Sequence, residues 1–234
     1  MSMQGAKAVV ATVLGAFSAA LVISASAASL GGITVADLFG WAAPVTVPVP
    51  VVVGFDHFTC AGNLNGKSDD YGNVWTDHAG GWRCVGSTEV ETRQPITLAH
   101  ATVDLGVSDD VYLTAHISSV NTQPNRSGPG VAFLSNGLSQ MFVIYERDLG
   151  QITLGKFEGT RTTLASTPIS DRATAEIRLE IAQPDITVIV DGIVQLTYTM
   201  NGPETATFGG NTRFGLEADN DNQSRFDWFR VETS

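Results

Sequence analysis

His57, Cys60, His78 and Cys84 carry donors that zinc accepts, and all four fall in one stretch, "FDHFTCAGNLNGKSDDYGNVWTDHAGGWRC" (55–84). Four such ligands would close a tetrahedral structural site. Their spacing fits no usual finger, however, and His57 sits inside the alternating "FDHF" strand, where burial decides residue types. A Cys60–Cys84 disulfide, or two unpaired thiols, outweighs the zinc reading. Bridging the two would stabilise the fold by about 3 kcal/mol through loop closure.

The next candidate chemistry is "EIRLE" (176–180). On a strand, Glu176, Arg178 and Glu180 share one face. The pattern is similar to the E-x-D-x-E strand of laminarinase-type glucanases, where the two outer carboxyls act as nucleophile and acid–base. Retaining hydrolysis needs two carboxyls about 5–5.5 Å apart, whereas positions i and i+4 start about 13 Å apart along a strand. Arg178 stands where the family has Asp, and pairing with it would keep both glutamates ionised. A solvated polar face explains this segment better than catalysis.

Two further clusters suggest binding. Asp219, Asn220, Asp221 and Asn222 in "EADNDNQSRFD" offer hard oxygen ligands suited to calcium, though no EF-hand pattern is present. The same residue types dominate ordinary turns because they bond their own backbone. No other cofactor is expected. In "VYLTAHISSV" (111–120), Tyr112, Thr114, His116 and Ser118 share one face. An aromatic ring flanked by hydroxyls suits stacking and hydrogen bonding to a glycan. The plainer account is an ordinary outer face of an antiparallel strand.

These residues need strands to hold them. After Gly54 no long helical period appears. Short alternating segments recur instead: 96–105, 111–120, 139–147, 152–157, 175–181, 186–190, 193–199, 212–218 and 224–233, divided by Gly, Asn, Asp and Pro. In the second of these, Leu113, Ala115 and Ile117 form the apolar face. Asp191-Gly192 between alternating runs predicts a type I′ hairpin turn. Phe226, Trp228 and Val231 are expected in the core. About a dozen strands at this spacing predict an all-β, two-sheet antiparallel sandwich.

Apolar residues make up 43% of the 234 positions, enough for a packed core. The net charge is −11, and the 13 cationic residues are scattered, so a nucleic-acid partner is excluded. Residues 1–43 are expected to form an apolar, helical N-terminal segment, in which "AVVATVLGAFSAALVI" (8–23) lacks any charge. It reads as a signal peptide, a membrane segment or an assembly anchor. "PVTVPVPVVV" (44–53) reads as an extended connector, since proline removes ladder donors. The folded domain is then 54–234.

The opening "FDHF…GNLNG…YGNVWTDHAGGWRCVG", the "IRLEI…ITVIVDGIVQLTYT" hairpin and the closing "FGLEADNDNQSRFDWFRV" resemble the concanavalin A-like, laminin-G-like jelly roll. More narrowly, the opening resembles modules in minor tail proteins of phages that infect actinobacteria. The resemblance implies a non-enzymatic virion tail protein that contacts host-surface glycan. Its partners would be other tail proteins and further copies of itself. A secreted or membrane-tethered bacterial glycan-binding protein is the alternative, and a glycoside hydrolase using Glu176 and Glu180 a more distant one.

Overall fold

The computed structural model describes residues 49–123 and 127–234. The apolar leader and the connector up to residue 48 lie outside the described residues. Among the described residues, fifteen strands make two antiparallel sheets. The first runs β13 (Ile193–Thr199), β12 (Asp185–Val190), β11 (Ala175–Ala182), β6 (Val111–Ser119), β15 (Arg225–Thr233), β4 (Glu89–Glu91) and β3 (Arg83–Val85), with β1 (Val51–Asp56) also pairing β15. The second runs β10 (Arg161–Pro168), β9 (Gln151–Glu158), β8 (Ser139–Glu146), β7 (Gly128–Ser135), β14 (Arg213–Asp219), β5 (Ala99–Asp104) and β2 (Thr76–Asp77).

Strand alternation builds the core as the sequence predicts. Leu113, Ala115 and Ile117 of β6, with Ile177, Leu179 and Ile181 of β11, are buried against Val131, Phe133, Met141 and Val143 of the opposite sheet. Asp191 and Gly192 both have positive φ, 49° and 76°, which is the backbone a type I′ turn demands. The turn fixes the β12–β13 register that places Val188 and Val190 inside.

The opening stretch packs as core. Phe58, Trp75 and Trp82 are fully buried, and Trp75 lies edge-on to Phe229 at 5.3 Å. Asp56 holds this corner by accepting from Phe58 N at 2.6 Å and Trp75 Nε1 at 2.7 Å. Cys60 and Cys84 are joined in a disulfide, with Cα atoms 5.7 Å apart. Zinc therefore has no thiolates here. His57 instead meets Asp70 at 3.0 Å, and His78 meets Thr102 at 2.9 Å and stacks on His100.

Strands β2, β3, β4, β7 and β10 add to the segments read from the sequence, and two further differences have a local cause. Strand β1 begins at Val51, inside the expected connector, because Pro50 is the last residue there without an amide donor. A short helix, α1 (Gly202–Phe208), follows β13. It is too short to show a period, but its start is encoded. Asn201 accepts from Glu204 N, and the Glu204 carboxylate accepts from Asn201 N, a reciprocal capping box.

Candidate functional site

The outer face of the first sheet is where Tyr112, Thr114, His116 and Ser118 emerge, two residues apart along β6, over about 20 Å. Register brings β11 alongside, with Glu180 opposite Tyr112, Arg178 opposite Thr114 and Glu176 opposite His116. On the other side, β15 sets Glu232 beside Tyr112, Arg230 beside Thr114 and Trp228 beside His116. The face is thus a set of cross-strand rows.

Trp228 is a correction: it belongs to this outer face, not to the core. Simple alternation would put Phe226 and Trp228 on the same side. The ladder is interrupted between them, with Phe226 paired to Ile117 and Trp228 to His116. The extra residue, Asp227, makes a β-bulge that reverses the side on which later residues point. Phe226, Phe229 and Val231 are consequently buried while Trp228 is half-buried. The signal was present in "FDWFRV", whose apolar positions occupy both parities and cannot all face inward without a bulge.

Each side chain of the face has a defined setting. The Arg178 guanidinium lies over the Tyr112 ring at 5.4 Å and donates to Glu180 at 2.8 Å. The planes of His116 and Trp228 are 7° apart, with centroids at 5.9 Å. His116 Nδ1 lies 2.6 Å from Asp227 Oδ1. With a carboxylate as acceptor, Nδ1 carries the proton, and in the neutral ring Nε2 is then an acceptor. Ser118 donates to Glu89 at 2.7 Å. Arg230 donates to Glu232 at 2.5 Å, and Arg225 to Glu89 and Glu91.

A recess opens at each end. One, of about 140 Å³, is lined by Tyr112, Glu180, Asp110, Asp185 and Thr187 among others. The other, of about 540 Å³, lies between Arg83, Glu91, Ser119, Asn222 and Arg225. The two ends and the aromatic middle line up along β6.

The second sheet's outer face is filled instead. Leu98, Phe142 and Ile144 form a separate buried cluster with Phe157 against it. Gly155 leaves room for the Phe142 ring, since a Cβ there would come within 2.4 Å of it. Arg161 reaches across to both Glu146 and Asp219, passing over Phe142 at 5.3 Å. Burial pushes the Glu146 carboxyl up, yet the hydrogen bonds from Gln151 and Thr153, aided by Arg161, bring it below its usual value. Glu217 is wholly buried, and burial reinforced by Asp219 drives its pKa well above the ordinary carboxyl range. Its one bond is from Gln140, at 2.6 Å.

The four residues considered for calcium are not brought together. Asp219 turns to Arg161. Asp221 accepts from Asn121 Nδ2 at 2.9 Å and from the amides of Gln223 and Ser224, which ties the loop to the strand end after β6. Asn220 takes a left-handed backbone, φ 49°, and Asn222 lines the larger recess. Among the described residues no group of three or more His, Cys, Asp or Glu is placed to hold a metal ion. Glu176 and Glu180 stay on opposite sides of Arg178, whose guanidinium engages Glu180.

No protein-family model matches this sequence, and no curated protein does either. Solved structures do. The carbohydrate binding module CBM66 from Bacillus subtilis is 13% identical, with 74% of this chain and 98% of that one covered at a TM-score of 0.54. A structure described with endo-acting O-glycanases of the human gut microbiota is 11% identical, covering 79% and 100% at 0.56. The endo-β-1,3(4)-glucanase SCLam, of family GH16, is 14% identical, covering 82% and 94% at 0.53. At such identities the likeness concerns the fold alone: two antiparallel sheets in a concanavalin A-like jelly roll.

Proposed function

We propose that the chain is a non-enzymatic glycan-binding protein that uses the outer face of the first sheet. The observation that carries this reading is the accessible aromatic row, Trp228 and His116 with Tyr112 further along β6. Sugars present apolar C–H faces and polar rims, so flat rings bordered by charged side chains suit them. The rival surface, on the second sheet, is occupied by Arg161, Leu98 and Phe142. A carbohydrate-binding module among the structures of similar fold agrees with this reading. Against hydrolysis, Arg178 separates Glu176 from Glu180, and Glu146, Glu217 and Asp219 of the second sheet lie buried.

In its finer form, the protein is a minor tail component of an actinobacteriophage that touches host-surface glycan. It would act in several copies among other tail proteins, where multivalency strengthens a weak single contact. The sequence motifs of 55–84 support this setting. Detection of the polypeptide in purified virions by mass spectrometry tests it, and absence from them would favour a secreted or tethered bacterial protein. Glycan-array binding by the full chain, abolished in Trp228→Ala, tests the binding face.

A further inference from the structure

The charges of the aromatic face are unequally engaged. Arg178 is held by Glu180, Arg230 by Glu232, and Arg225 by Glu89 and Glu91. Arg83, at the rim of the larger recess, is held by Glu91. Every guanidinium of this surface is therefore already paired with a carboxylate. Asp227 is committed to His116. Beside the stacked rings, Glu176 alone is unengaged: its amide donates to Asp191, but its carboxylate has no partner among the described residues; the other free carboxylate, Asp110, lies at the far end, in the smaller recess.

Position gives that carboxylate its meaning. Glu176 of β11, His116 of β6 and Trp228 of β15 form one cross-strand row. Neighbouring strands are about 4.8 Å apart, so an unpaired negative group borders the parallel imidazole and indole rings. A ligand lying on those rings would reach Glu176 from one edge. An anionic sugar would meet an uncompensated carboxylate on a chain of net charge −11, and like charges repel. A neutral sugar would gain stacking only. An ammonium would gain a charge-assisted hydrogen bond and, if it slid over the indole, a cation–π contact.

From this we infer that the face selects a sugar bearing a free amine, with its ring on Trp228 and His116 and its ammonium on Glu176. The inference rests on the glycan-binding reading of this face and names the ligand class for it.

Titration of the full chain with glucosamine oligomers and with N-acetylglucosamine oligomers, both in 0.15 M salt to screen distant charge, tests it. Wild-type protein is expected to bind the free-amine oligomers about ten-fold more tightly, the size of one charge-assisted bond. Glu176→Gln removes that preference by weakening binding of the free-amine oligomers. Glu158→Gln, which removes an exposed carboxylate at the end of β9 on the other sheet, leaves the preference intact. Equal affinity for the two oligomers, an undiminished preference in Glu176→Gln, or an equal loss in Glu158→Gln overturns the inference while the glycan-binding reading stands. If neither oligomer binds, or Trp228→Ala binds both as wild type does, both readings fall together.

Discussion

The Trp228 indole lies parallel to the His116 imidazole across the β6–β15 seam, 5.9 Å between centroids, because one extra residue at Asp227 turns the tryptophan outward. Its neighbour Phe229 is turned inward by the same bulge and is fully buried. The two aromatic residues, adjacent in sequence, therefore have separable roles. Trp228→Ala is expected to abolish glycan binding and to change stability by less than about 1 kcal/mol. Phe229→Ala is expected to cost about 3–5 kcal/mol, as a large cavity in a sandwich core does. Binding assays paired with urea unfolding of both variants check this, and a severe stability loss in Trp228→Ala would place the indole in the core after all.

The strands that alternate cleanly, β6, β11 and β12, were legible in the sequence, because apolar residues at every second position leave one register with a buried face. So was the type I′ turn at Asp191-Gly192, whose residue types answer a backbone requirement. Trp228 was misassigned because a bulge changes parity without changing composition. Strand β7, "GPGVAFLS", is covered on both faces, so no alternation marks it in the sequence. The four residues of β6 were assigned to one outer face from spacing alone. Their cross-strand company was not, since Glu176 and Trp228 reach His116 only through pairing of residues distant in sequence.

Arg161 ties β8 to β14 by bridging Glu146 and Asp219, both almost wholly buried. Arg161→Met keeps much of the aliphatic packing over Phe142 but leaves two buried carboxylates without their cation. Loss of one partner from such a group typically costs about 3–5 kcal/mol, and that is the expected drop at neutral pH. Because the folded-state Glu146 pKa is depressed, its contribution is present above the unfolded value and fades as pH falls through the folded one. The gap between wild type and Arg161→Met should narrow on acidification below about pH 4.5, the ordinary Glu range. Chemical denaturation at pH 7 and pH 3.5 measures both quantities, and an unchanged gap would mean the arginine acts by packing alone.

The Cys60–Cys84 bridge closes a loop with a sequence separation of 24 around the buried Leu64 and Trp75. Chain-entropy reasoning assigns such a loop about 3 kcal/mol. Replacing both cysteines with serine should lower the urea midpoint accordingly and leave glycan binding intact, since neither residue touches the β6 face. A reductant should reproduce the shift in the wild type and have no effect on the double variant.

Asp56 supplies the sharpest test of the opening corner. Burial raises its pKa to about 6, against the opposing hydrogen bonds from Phe58 N and the Trp75 indole. A carboxyl whose folded pKa exceeds its unfolded value, 3.8, favours the folded state most below the unfolded pKa. That contribution is lost as pH rises through the folded one. Asp56→Asn cannot titrate, and its amide NH₂ would confront one of two donors that the carboxyl now accepts, so the variant is destabilised by about 1–3 kcal/mol or more at low pH. The difference between wild type and variant should be widest below about pH 4 and shrink by about 2 kcal/mol between pH 4 and pH 7. Subtracting the two profiles cancels the contribution of His78, whose pKa burial lowers to about 4 and which destabilises the fold in acid. Urea midpoints at several pH values between 4 and 7 give the profile. A difference that grows with pH would mean that the Asp56 carboxylate is the form the fold prefers.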